Sequence, residues 1–100
     1  MTLEDPSDVR RSTEPEASFT GVLFRVDGPG GWTFVEVPSA FAPDVAGPWG
    51  RTPMLATVDG STWATSVWTE RTGRVLLAVP KRIRGEKEAG HEVVVSLAPR

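Results

Sequence analysis

Apolar and polar residues alternate in six short runs along the chain, and glycine, proline or aspartate stands between most of them. This period of two is the signature of half-buried β-strands. Residues 19–26 (FTGVLFRV) predict the first strand, with Val22, Phe24 and Val26 on one face and Leu23 and Arg25 on the other. The glycines of segment 27–31 supply a tight turn, and residues 32–37 return as the second strand. Pro38 ends that strand because it has no N–H for the ladder. Residues 39–45 predict a short helical turn with Phe41 and Val45, at i and i+4, facing inward. Residues 53–58 and 62–69 are two strands joined by Asp59-Gly60, a strong signal for a two-residue hairpin turn. In the second of them Trp63, Thr65 and Val67 share one face, and Ala64, Ser66 and Trp68 the other. Residues 74–79 predict the fifth strand. Pro80 then stands at the first position of a short helix, which Gly85 interrupts and Ala89-Gly90 ends. Residues 92–97 predict the sixth strand. Six short strands with at most two short helices predict an all-β fold, a six- to seven-stranded double-split β-barrel whose closure removes exposed edges.

The strand-Pro-helix device occurs twice. Gly31, Phe34, Val35, Val37, Pro38 and Phe41 match Gly73, Leu76, Leu77, Val79, Pro80 and Ile83 at a constant offset of 42. The match predicts two related halves exchanged by an approximate two-fold axis, with Pro38 and Pro80 in equivalent places.

Residues 1–17 break the pattern. They hold Glu4, Asp5, Asp8, Glu14 and Glu16 with almost no large apolar side chain, a composition that cannot offset the entropy of ordering. The expected organisation is therefore an acidic tail over 1–17 and one barrel domain over 18–98. The absence of cysteine excludes disulfides, thiolate catalysis and zinc ribbons. No secretory leader is expected, and no run approaches the roughly 20 apolar residues of a membrane span. A cytoplasmic protein that is a monomer or a homodimer is expected.

The net charge of −2 conceals an asymmetry. Arg71, Arg74, Lys81, Arg82, Arg84 and Lys87 fall within 71–87, against Glu86 alone, and such a patch can bind anions even in an acidic protein. The first copy of the repeat has Ser39, Ala40, Pro43 and Asp44 in the matching helix, with no cation. Arg74, Lys81, Arg82 and Arg84 are accordingly the candidate anion-binding residues, through charge-assisted forks to phosphate or carboxylate. The ordinary reading of such a run is a solvated face that keeps a small domain soluble. Of four tryptophans, Trp63 is expected to fill the core, and Trp68 and Trp49 to wall a pocket or partner surface. His91 stands alone in a turn, with no companion for a metal site. Thr65 and Ser66 have no base in the sequence, Asp59 serves its turn, and glycines 28–31 lack the spacing of a phosphate loop. No cofactor is implied.

Val79-Pro80-Lys81-x-Ile83-Arg84, followed by Gly90-x-x-Val93-x-Val95, resembles the swapped-hairpin DNA-binding proteins of the AbrB and MazE type. In that family two half-barrels from two chains close one dimeric barrel on DNA. This chain differs from it in a shorter helix, in His91 where the family has aspartate, and in a second half preceding the first. The span from Phe19 to Leu97 is more similar to a bacterial domain-of-unknown-function family with a double-split β-barrel, sometimes fused to a YdeI/OmpD-associated C-terminal region. Gly31-Trp32-x-Phe34-Val35-x-Val37-Pro38, Asp59-Gly60-x-x-Trp63-x-Thr65-Ser66 and Val79-Pro80-Lys81-x-Ile83-Arg84 carry that resemblance. It implies a fold and no reaction.

The functional expectation is a non-enzymatic binding module for an anionic small molecule or an acidic protein surface. The alternatives are a dimeric DNA-binding regulator, which needs both halves positive to grip DNA, and a small-barrel enzyme with a tryptophan-lined pocket.

Overall fold

The computed structural model describes residues 18–28 and 31–100; the expected acidic tail lies outside the described residues. Seven strands form one antiparallel sheet: β1 (Ser18–Val22), β2 (Phe24–Val26), β3 (Trp32–Val37), β4 (Arg51–Val58), β5 (Ser61–Thr69), β6 (Val75–Ala78) and β7 (Glu92–Pro99). Their order across the sheet is β1-β7-β4-β5-β6-β3-β2. The two outermost strands are consecutive in sequence and separated only by Leu23. One extended stretch thus pairs with β7 through its first half and with β3 through its second, and the sheet closes into a small all-β barrel. The change of partner occurs at Leu23, whose N–H donates to His91 O at 2.9 Å and whose carbonyl accepts from Gly90 N–H at 2.8 Å.

Alternation decides the two faces. Phe19 and Leu23 point inward with Val35, Val37, Ala56, Val58, Trp63, Val67, Leu77, Val79, Val93 and Val95 to make the core. Burying each large side chain contributes about 1.5–3 kcal/mol. The interior is narrow where β1 crosses β3. A Cβ on Gly21 would lie 2.3 Å from Val35 Cγ2, so glycine leaves room for the buried Val35 side chain. The hairpin joining β4 to β5 turns on Asp59 (φ 48°) and Gly60 (φ 91°), the positive pair that a type I′ turn requires.

Both prolines behave alike. Pro38 (φ −61°, ψ 151°) precedes a 3-10 turn over Ser39–Phe41, and Pro80 (φ −71°, ψ 160°) precedes helix α1, Lys81–Arg84. Each carbonyl accepts an N–H three residues on, from Phe41 and from Ile83, both at 2.9 Å. Two expectations change in detail. Pro80 is extended and caps α1 from outside, so it is not the first helical residue. The turn after Pro38 stops at Phe41 because Ala42 is extended (ψ 155°), as residues before proline usually are. Val45 is consequently 80% exposed and does not face inward, whereas Phe41 packs on Phe19 with ring centroids 5.1 Å apart.

Candidate functional site

Most cations around α1 have partners within the fold. Lys81 Nζ lies 3.6 Å from Glu88 Oε2, and Lys87 Nζ lies 2.8 Å from Asp59 Oδ2 and donates to Glu92 O. Arg84 turns inward, its Nη1 donating to Val79 O at 2.8 Å, while its Nε is buried without a partner among the described residues. At α1 itself, Arg82 alone keeps an exposed guanidinium with no partner among the described residues. Arg74 stands just before β6, at the other end of that strand from α1. It pairs with Glu70 at 3.3 Å and lies 5.3 Å over the Phe24 ring. The structure therefore gathers Lys81, Arg82 and Arg84 at one corner and leaves Arg74 outside it.

Two side chains of this region hold loops rather than chemistry. Burial alone would raise the pKa of Asp59. The hydrogen bond from Lys87, the Val94 N–H on Oδ1 at 2.9 Å and the charge of Lys87 outweigh it and hold the carboxyl below its ordinary value. His91 Nδ1 accepts the Glu88 N–H at 2.8 Å, so that ring nitrogen closes the turn.

A different arrangement forms on the outside of the β4–β5 hairpin. Equal steps back from the Asp59-Gly60 turn place Arg51 opposite Trp68 and Pro53 opposite Ser66. Trp68 is 43% exposed, and the Arg51 guanidinium lies 5.2 Å over its ring. Just before β4, a 3-10 turn over Pro48–Gly50 puts Trp49 in the left-handed region (φ 55°, ψ 28°) with its side chain 94% exposed. That turn is held by Gly47 N–H donating to Thr52 Oγ1 at 3.1 Å and by Gly50 N–H donating to Gly47 O at 3.0 Å. Gly50 (φ 76°) presses against the end of β5, where a Cβ would meet Thr69 O at 2.5 Å.

Pro48, Trp49, Arg51, Pro53, Ser66 and Arg100 line a groove of about 340 Å³ with no acidic residue in its wall. Arg100 chelates Thr65 O through Nε (3.2 Å) and Nη2 (2.9 Å), which leaves its Nη1 edge unpaired. Arg51 has no acidic partner among the described residues. Ser66 is only 8% exposed, yet its hydroxyl makes no hydrogen bond there. Two guanidiniums with no acidic side chain in the same wall and an unused hydroxyl can together receive an anion. A larger groove beside Arg74, about 580 Å³, is lined by Glu36 and Asp44, and its single cation is already paired with Glu70. It suits an anion less well.

Of the residues singled out in the sequence, Trp49 lines the anion-receptive groove and Trp68 underlies Arg51. Arg51 and Arg100 were not singled out. The hairpin register alone places Arg51 over Trp68, but Arg100 reaches Thr65 only across β4, which lies between β7 and β5. Among the described residues no helix is long and apolar enough to cross a membrane, and no cluster of three or more His, Cys, Asp or Glu could hold a metal ion.

The family model described as "Domain of unknown function (DUF1905)" matches residues 19–97. No curated protein and no solved structure matches the chain.

Proposed function

The chain belongs to the DUF1905 family, and from that premise we propose that it is a non-enzymatic binding module for an anionic group. The observation that carries this reading is the groove in which Arg51 and Arg100 stand without acidic company beside the free hydroxyl of Ser66. Arginine forks are suited to carboxylate and phosphate, and two of them in one recess attract an anion more than either would alone. The Lys81–Arg84 corner is the second place for such a ligand, with Arg82 as its free cation.

A thermal-shift screen with phosphorylated and carboxylated metabolites tests the reading. A ligand at ten times its Kd stabilises the native state by about 1.4 kcal/mol, which raises Tm by about 5–10 °C in a domain of this size. Arg51→Ala should abolish the shift and Lys81→Ala/Arg82→Ala should preserve it. The opposite pattern would return the ligand to the corner, and no shift with any anion would refute the module.

The alternative of a dimeric AbrB-like DNA-binding regulator has less support, because Lys81 and Lys87 are ion-paired and Arg84 faces inward. It would show itself as DNA binding that weakens steeply with salt.

We infer also that the two halves are related by an internal repeat. In favour are the matching conformations at Pro38 and Pro80 and the pairing of β3 with β6 and of β4 with β7, as a dyad between equivalent strands requires. Phe34 faces Phe24 across its ladder, and its counterpart Leu76 faces Trp68, so an aromatic ring occupies both places.

A further inference from the structure

Resting on the reading of the Arg51–Arg100 groove as an anion site, we infer that its ligand is a small organic anion carrying a flat ring, an aryl carboxylate or an aromatic phosphate ester. Trp49 forms the lip of the recess with its indole 94% exposed and packed on almost nothing. Its backbone is held left-handed, an unfavourable state for a non-glycine residue that the bonds of Gly47 and Gly50 impose. The fold thus keeps a large apolar plate in water directly beside two guanidiniums. Pro48 and Pro53 add further apolar wall, and Ser66 and the arginines supply the polar end.

Each component selects a part of the ligand. The guanidiniums take the charge; the indole takes a ring by offset stacking, and the rigid prolines border it. The Arg51 guanidinium already lies over the Trp68 ring, 5.2 Å from its centroid, a contact that uses none of its N–H donors and leaves them to an anion. The recess, about 340 Å³, is at the small end of the range for small-molecule sites, and a ring with one anionic substituent fits it.

The test compares inorganic phosphate with phenyl phosphate, and acetate with benzoate, by isothermal titration at fixed ionic strength. Each ring-bearing anion should bind at least tenfold more tightly than its plain counterpart. Trp49→Ala, whose side chain supports almost no packing, should bring the members of each pair within about threefold of each other. Arg51→Ala should weaken every probe. Equal binding of plain and ring-bearing anions, or a ring preference that survives Trp49→Ala, would overturn the ring inference while leaving the anion site standing. Failure of all four probes to bind would overturn both.

Discussion

Lys87 Nζ stands 2.8 Å from Asp59 Oδ2, joining the loop after α1 to the tip of the β4–β5 hairpin. The same carboxylate accepts the Val94 N–H of β7 through Oδ1, and the Asp59 N–H donates to Val94 O at 2.9 Å. One side chain therefore sets the turn and clips two strands and a loop together.

The folded-state pKa of Asp59 lies below its ordinary 3.8. Its contribution to stability is fully present above that ordinary value and is lost as pH falls through the lower, folded-state value. Asp59→Asn keeps an acceptor for Val94 and tolerates the left-handed backbone, so it removes the charge and the acceptor that faces Lys87. With both partners partly exposed, we expect it to cost less than about 1 kcal/mol at pH 7. Urea midpoints measured against pH should converge for wild type and variant as pH falls through the lowered, folded-state value. Curves that stay parallel into acid would show that the Lys87 pair contributes nothing.

Arg84→Met separates structure from recognition at the basic corner. It removes the bond to Val79 O but also a buried Nε without a partner. The two effects oppose each other, and a net loss of about 1 kcal/mol is expected. Anion affinity at the Arg51 groove should be unchanged. A variant that unfolds less readily than wild type would mean that the orphaned nitrogen outweighs the bond.

Gly50→Ala should damage both fold and groove. The residue is left-handed, and the new methyl would stand 2.5 Å from Thr69 O. Strain and clash together should cost about 2–4 kcal/mol and displace Trp49 and Arg51 on either side. Gly60→Ala is the control, since Gly60 is also left-handed (φ 91°) but its methyl would meet nothing within 4 Å. Only the conformational cost, about 1–2 kcal/mol, should remain there. Chemical denaturation of the pair would refute the argument if the two losses were equal.

Leu77→Ala probes the core. Leu77 is wholly buried and lies between Val35 and Val67 in adjacent ladders. A loss of about 3 kcal/mol is expected, a large fraction of what a domain of this size has. A loss below about 1 kcal/mol in the denaturation midpoint would show that the interior collapses around the gap.

How much of this was legible beforehand follows from the range of the interactions. The period of two around Val35, Val67 and Leu77 and the Asp59-Gly60 turn are local signals, and they gave the all-β barrel. The break at Leu23 was not legible, because it depends on partners about 70 residues away, at Gly90 and His91 and in β7. Around Lys81 and Arg84 the local charge pattern does not announce the Glu88 pair or the bond to the Val79 carbonyl, because both arise only once the chain is folded. Trp49 and Trp68 stood out by composition. Arg51 did not, although the hairpin register was enough to set it over Trp68.

The split stretch at Leu23 also bears on how the chain comes off the ribosome. Its first half needs a partner that is made about 70 residues later, so the growing polypeptide carries an unsatisfied strand margin until β7 emerges. Ring formation is thus the last event of synthesis for this domain, and a nascent chain stalled before residue 92 would be left sticky and open to pairing with its neighbours.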